Sequence, residues 1–192
     1  EGNVWAGTSG GGLNRVRPRP LDLIGRDAGL PFESVRSVSQ DTNGRIWIVT
    51  QNGEVARQEN GGWLTVSAGG AWPGGRALCV AADARGAVWI GTRDNGLHRL
   101  LDGEFRTWRK GDGLASEVAR SLLVSARGDV WLGVDPPTRL QRFRDGEWRT
   151  FELPPGARSL RAMAEDANGT IWAGTADGQL VRVDGNVLTS VA

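Results

Sequence analysis

Three arginines recur at one position of a repeated pattern, and their chemistry suits the binding of an anion. Arg36, Arg120 and Arg161 each lie five residues before the position at which a turn begins. A guanidinium group offers a rigid fork of N–H donors that matches a carboxylate or a sulfate group. If the three strands lie side by side, these side chains predict a cationic site. The alternative is structural, because the same arginines could pair with nearby acids or cover the edge of the core.

A second group of candidate residues lies in predicted loops on one face of the molecule. Aromatic and polar side chains that converge on a concave surface are suited to sugars or peptides. This group therefore predicts a ligand-binding surface. Its members are Phe32, Trp72, Arg93, Asp94, Asn95, the turn at 135–137 and the loop at 154–156.

Catalytic chemistry finds little support in the sequence. His98 is the only histidine and Cys79 the only cysteine, so neither a Ser-His-Asp set nor a metal site of His and Cys ligands can be assembled. We expect His98 to lie on the surface of a strand. Acids such as Asp83 recur as turn formers, and the absence of tyrosine excludes a sialidase-type nucleophile. The sequence predicts no catalytic residue, no metal and no cofactor.

Composition and charge exclude several classes of partner. The 23 basic and 22 acidic residues leave a formal net charge of +1. A chain so evenly balanced has no large basic field for nucleic acid or for an anionic membrane. No apolar run is long enough to span a bilayer. We therefore expect neither nucleic acid binding nor membrane contact by this segment.

A repeat of about 42 residues determines the secondary structure that carries these candidate residues. Five tryptophans mark it, with steps of 42, 42, 42 and 41 residues. A fixed period in this range predicts a repeat architecture. Because the tryptophan takes the same place in every copy, we expect it in the core rather than on a sugar-stacking platform. The tryptophans are Trp5, Trp47, Trp89, Trp131 and Trp172.

Each repeat is predicted to be an antiparallel sheet of four strands. Short apolar runs alternate with Gly-rich turns, and no helical periodicity is present. Small residues on one face of the first strand (Ser37, Cys79) and larger ones on the other (Val38, Val80) would let successive sheets pack face to face. The pattern predicts an all-β fold, a β-propeller with about five blades in a partial or incompletely closed ring. The blade units are approximately 1–25, which lacks the inner strand, 34–67, 75–109, 117–152 and 158–192.

Several stretches of the chain resemble two-component regulator propeller repeats. They include WAGTSGGGLNRV at 5–16, DARGAVWIGTRDNGLHRL at 83–100 and DANGTIWAGTADGQLVRV at 166–183. The linkers RDAGLPFESV at 26–35 and KGDGLASEV at 110–118 resemble the joints of that family. Departures from the pattern occur at Val49, at Ser125 and at 134–138, and they affect individual loops.

The resemblance implies a function that periodicity cannot show. Such repeats form the periplasmic sensor region of bacterial hybrid histidine kinases, and several members sense polysaccharides. It implies neighbouring propeller, β-sandwich and kinase domains, a glycan ligand and a possible homodimer, and the arginines add a small anionic ligand. The missing inner strand of the first unit leaves three interpretations: a fragment of a longer chain, which we favour, an imperfectly closed ring of five blades, or closure by association. Two alternatives remain open: a propeller enzyme, streptogramin-lyase-like or glycan-active, and a plain protein-interaction scaffold.

Overall fold

The computed structural model describes residues 4–8, 12–16, 24–68 and 70–191. Residues 21–23, which belong to the first predicted blade unit at 1–25, lie outside them. In the described residues the regular structure consists of β-strands and three short 3-10 turns. These residues contain no helix with the length and apolarity that a membrane span requires.

The strands form one hairpin and four four-stranded antiparallel sheets. We call the sheets blades I to IV, formed by β3–β6, β7–β10, β11–β14 and β15–β18. The strands are β1 (Val4–Thr8), β2 (Gly12–Val16), β3 (Val35–Gln40), β4 (Ile46–Thr50), β5 (Val55–Glu59), β6 (Gly62–Thr65), β7 (Ala77–Ala82), β8 (Val88–Thr92), β9 (Leu97–Leu101), β10 (Glu104–Trp108), β11 (Ala119–Val124), β12 (Val130–Val134), β13 (Arg139–Arg144), β14 (Glu147–Phe151), β15 (Leu160–Glu165), β16 (Ile171–Thr175), β17 (Leu180–Asp184) and β18 (Val187–Val191).

The turn between the first two strands of a blade follows from its sequence. In blade I the N–H of Gly44 donates to the carbonyl oxygen of Asp41 at 2.9 Å, and Gly44 has a φ of 76°. This left-handed conformation favours glycine. The Asp41 carboxylate accepts from the backbone N–H groups of Asn43 and Arg45 at 2.9 and 3.0 Å. The aspartate and the left-handed glycine together therefore close this turn.

Successive blades pack face to face through their first strands, so β3, β7, β11 and β15 adjoin one another. Small residues permit this approach. A Cβ atom on Gly91 would lie 2.6 Å from the carbonyl oxygen of Ala119, in the next blade. A Cβ atom on Gly133 would lie 2.8 Å from the Cβ of Leu160. The predicted architecture of stacked propeller blades is confirmed.

The repeated tryptophan forms part of the core between blades. Trp47, Trp89 and Trp131 are each 3% exposed and belong to hydrophobic clusters that join neighbouring sheets. The core role predicted for this position is therefore confirmed for them, and Trp172 is half-buried. The side chain of Trp5 lies outside the description.

The predicted packing of larger residues from the first strand holds for blade II but is wrong for blade I. Val80 is 4% exposed, whereas Val38, at the equivalent position, is 64% exposed. Val80 packs in a cluster with Trp47 and Val49 of blade I. The repeat pattern shows which face a side chain takes, but burial also needs a neighbouring surface.

Candidate ligand-binding site

The first strands of three blades bring the predicted arginines together. Arg36 on β3, Arg120 on β11 and Arg161 on β15 line one open cavity of about 280 Å³. The intervening strand β7 contributes Leu78 at the matching position, and this side chain is buried. The strands converge because their small residues allow the blades to approach closely. We call this cavity the axial pocket.

Two of the three guanidinium groups have no acidic partner in the described residues. Arg120 lies near an acid, since its Nε is 3.5 Å from Oδ2 of Asp135. No ion pair joins Arg36 or Arg161 to an acid within 24–68 or 70–191, and both side chains are exposed. The structural alternative of pairing with acids thus applies to Arg120 and leaves two cations available in the pocket.

The wall of the axial pocket holds a buried hydroxyl and a neutral thiol. The Oγ of Ser121 is buried and has no hydrogen-bond partner among the described residues. The thiol of Cys79 donates to the carbonyl oxygen of Ala119 at 3.5 Å. Burial raises the pKa of Cys79 to about 12, so the group remains a neutral thiol at neutral pH. The pocket therefore combines cations at its rim with uncharged polar groups.

The loop residues predicted to bind a ligand form a separate group, and none of them lines the axial pocket. The indole N–H of Trp72 donates to the carbonyl oxygen of Gly75 at 3.2 Å, and Nδ2 of Asn95 donates to that of Pro73 at 2.5 Å. The loop before β7 and the turn between β8 and β9 therefore meet on one face, as expected. Trp72 is half-buried, while Arg93 and Asp94 are exposed.

The prediction that His98 is a surface residue is wrong. His98 is fully buried, and its Nδ1 lies 2.8 Å from Oγ1 of Thr107. The ring of Trp72 covers it at a centroid distance of 5.2 Å, and its Nε2 has no partner in the described residues. Burial lowers the pKa of His98 to about 4, and the charge of Arg109 acts in the same direction. The repeat placed His98 on a strand, but a loop from outside the strand buries it.

Sequence reasoning also missed the arginines that face three of the repeated tryptophans. Arg57, Arg99 and Arg142 lie over the rings of Trp47, Trp89 and Trp131, with the guanidinium carbon 5.6 to 5.8 Å from the ring centroid. This distance is typical of cation–π contacts. A constant separation of ten or eleven residues between the tryptophan and the arginine could have revealed the pairs.

The described part of the chain holds no cluster of metal-ligating side chains. No group of three or more His, Cys, Asp or Glu side chains there is arranged to hold a metal ion. Polar side chains converge at the axial pocket, where the charged lining residues are the three arginines.

Comparison with known sequences identifies the repeat. A family model described as "Two component regulator propeller" matches residues 29–52 and 153–177. These ranges cover the turn-and-strand motif of blade I and that of blade IV. No curated protein sequence matches the chain.

Several solved structures share the fold. One is the extracellular domain of BT4673 from B. thetaiotaomicron, described as a one component or hybrid two component system, with a TM-score of 0.67 and 18% identity. The match covers 85% of this chain and 25% of that one, so the chain spans about a quarter of that domain.

Virginiamycin B lyase from Staphylococcus aureus has a TM-score of 0.68 and 16% identity, and the match covers 98% of this chain and 62% of the lyase. At these identities the likeness shows the fold alone, and the propeller fold is common to a sensor domain and an enzyme. The two ranges matched by the family model have the sequence of two-component regulator propeller repeats.

Proposed function

We propose that this chain is the ligand-binding part of a sensory propeller and that the axial pocket receives an anionic group of its ligand. The observation on which the proposal depends is the convergence of Arg36, Arg120 and Arg161 on one cavity, two of them without an acidic partner. A guanidinium group can form two parallel, charge-assisted hydrogen bonds with a carboxylate or a sulfate group.

The ligand class that fits is an acidic glycan or a small organic acid. The carboxylate or sulfate would contact Arg36 and Arg161, and a neighbouring hydroxyl could use the free Oγ of Ser121. The exposed turn residues Arg93 and Asp94 and the half-buried Trp72 lie on the loop face. A glycan longer than one sugar could extend to that face and contact the indole ring.

The proposed sensing role includes the compartment in which the chain acts and the domain to which it passes the signal. The repeat family and the extracellular domains that share the fold support an extracytoplasmic site of action, the periplasm in a bacterium. A ligand bound between the first strands would alter how blades pack. It would then shift the contact with a neighbouring propeller, β-sandwich or kinase domain, or with a second copy of the chain.

The same geometry favours binding over catalysis. A lyase or hydrolase needs a group that can exchange a proton with the substrate. The single histidine is covered by Trp72 and has a lowered pKa, which makes it a poor proton donor at neutral pH. The Cys79 thiol is buried and protonated. These features argue against catalysis by the histidine or the cysteine and so support a non-enzymatic role, with a lyase-like or glycan-active propeller as the rival.

The proposal is tested with the double variant Arg36→Ala/Arg161→Ala. Binding of glucuronate and of uronate-containing oligosaccharides is measured by calorimetry, with neutral glucose oligosaccharides as the comparison. We expect the double variant to lose at least tenfold in affinity for the acidic ligands while its melting temperature stays nearly unchanged.

Arg85→Ala is the matched control, because Arg85 is an exposed turn arginine outside the pocket. Equal loss of affinity in the control would show a general charge effect and would contradict the proposal. Turnover of any probe by the chain, measured in the same samples, would favour the enzyme.

A further inference from the structure

The turn that precedes the repeated tryptophan is complete in three blades and altered in one. In blades I, II and IV an aspartate carboxylate accepts the indole N–H of the tryptophan, at 2.9, 3.1 and 2.9 Å. The pairs are Asp41 with Trp47, Asp83 with Trp89, and Asp166 with Trp172. Blade III has Ser125 in place of the aspartate.

The serine replaces only part of what the carboxylate does. Oγ of Ser125 accepts from the backbone N–H of Asp129 at 3.1 Å, as the aspartates do from the equivalent residue. It does not reach the indole, and Nε1 of Trp131 has no hydrogen-bond partner although the residue is 3% exposed. A buried donor without an acceptor is destabilising and attracts any acceptor of suitable size.

A second buried donor lies beside the first. Arg142, which is 7% exposed, faces the Trp131 ring. Its terminal nitrogens donate to two uncharged oxygens, the Gly185 carbonyl and Oδ1 of Asn186, both at 3.1 Å, while its Nε has no partner. Burial lowers the pKa of Arg142, and the charge of Arg144 lowers it further. None of the hydrogen bonds of this guanidinium group goes to a carboxylate.

Trp131, Arg142 and Ser125 all line one cavity of about 100 Å³ between blades III and IV. A space of this size holds a group equal to a few water molecules. The charged residues facing it are three arginines and three acids, but Asp129 is paired with Arg144 and Glu165 accepts the N–H of Ala126 at 2.6 Å. The other two charged residues besides Arg142 are Arg127, which belongs to blade III, and Asp184, which belongs to blade IV.

We propose that this cavity is a binding site for a small monocarboxylate of the size of formate or acetate, which would take the place that the aspartate carboxylate has in the other three blades. One carboxylate oxygen would accept from Nε1 of Trp131 and the other from Nε of Arg142. The site is independent of the axial pocket, because the two cavities share no lining residue. The volume of about 100 Å³ suits a group of this size better than a sugar acid.

The test is a formate titration followed through the indole N–H signals of the nine tryptophans in ¹H–¹⁵N spectra. Ionic strength is held constant with sodium chloride, and Trp131→Phe assigns the signal. We expect the Trp131 indole signal to move downfield and to saturate with a Kd of about 10 mM, as two charge-assisted hydrogen bonds allow. A Trp131 signal that stays in place up to about 50 mM formate would overturn the proposal.

Two variants should exchange the sensitivity to formate between blades II and III. Ser125→Asp supplies the carboxylate within the chain, and we expect its Trp131 signal to be insensitive to formate. Asp83→Ser creates the same pair of free donors in blade II, Trp89 Nε1 beside the already unpartnered Nε of Arg99, and the Trp89 signal should become sensitive. Formate shifts of equal size in Ser125→Asp and in the unmodified chain would also contradict the proposal. The blade II result gives an independent answer if Ser125→Asp does not fold.

Discussion

Blades II and III are neighbours built on one pattern, and they differ at three positions that decide their chemistry. At the turn, blade II has Asp83 and blade III has Ser125; on the third strand, blade II has His98 and blade III has Gln141. At the start of the first strand the pair is Leu78 and Arg120. The backbone is closely similar in both blades, with the same antiparallel order and the same register shift near the start of the first strand. Fold and local polar chemistry therefore vary independently in this protein.

His98 and Gln141, at equivalent positions of the third strand, both contact the loop that enters their blade, but they do so differently. Gln141 is fully buried, and its amide donates to Thr150 and to the Gly113 carbonyl while its oxygen accepts the N–H of Ala115. It thereby fixes the loop that enters blade III. His98 faces the equivalent Thr107 but meets its entering loop through the ring of Trp72. The polar atoms of Gln141 thus have hydrogen-bond partners, whereas Nε2 of His98 is buried without one among the described residues.

The largest effect on stability is expected when the complete turn of blade II is made like that of blade III. Asp83 accepts the N–H groups of Arg85 and Ala87 and the indole of Trp89. Asp83→Ser should lower the free energy of unfolding by about 2 to 3 kcal/mol, because hydrogen bonds to a charged acceptor are lost and the buried indole loses its partner. Urea unfolding measures the change. Ser125→Ala is the control in blade III and should cost less than about 1 kcal/mol; equal losses would contradict the comparison.

A pH effect should distinguish His98 from Gln141 on the third strand. The folded-state pKa of His98 is lowered to about 4 from 6.5, so in this interval the unfolded chain binds a proton that the folded chain does not. Stability from His98 is complete above about pH 6.5 and falls as the pH decreases towards 4. His98→Gln, which copies Gln141, should remove this slope, about 1 to 2 kcal/mol between pH 7 and pH 5. Unfolding at the two pH values measures it, and parallel curves for both proteins would show that His98 is not buried as a neutral ring.

Converting blade III towards blade II should give a smaller effect of the opposite sign. Ser125→Asp supplies the missing acceptor for Trp131 and a carboxylate near Arg142. We expect a gain of about 1 kcal/mol, less than the loss at Asp83, because the new charge also lies near Asp129. The melting temperature in formate-free buffer checks this, and Ser125→Asn separates the hydrogen bond from the charge. A loss of stability in both variants would contradict the assignment.

The smallest effect on stability is expected at the start of the first strand. Arg120 is about a third exposed, and its contact with Asp135 measures 3.5 Å. Such partly exposed ion pairs contribute little, so Arg120→Leu, which copies Leu78, should change the free energy of unfolding by less than about 0.5 kcal/mol. Its expected effect is on the affinity for acidic ligands in the axial pocket. A large loss of stability would show that Arg120 has a structural role.

The amino-acid sequence was sufficient to predict the fold and the residue types of the first strand in each blade. The period of the tryptophans, the Asp-x-x-Gly turns and the small residues of the first strands predict stacked four-stranded sheets, because each of these features depends on residues close in the chain. The sequence also placed Arg36, Arg120 and Arg161 on equivalent strands, and the propeller geometry then brings them into one pocket.

The tertiary structure alone decided which side chains are buried and which polar atoms keep a partner. His98 becomes a core residue because Trp72, which is 26 positions away, folds over it. Val38 stays exposed although its equivalent in blade II is buried. Trp131 lacks an acceptor because of a substitution whose effect is visible only beside Arg142 and blade IV. Burial and hydrogen bonding depend on contacts between neighbouring blades. The strand pattern of a single repeat does not show which residues the next blade will cover.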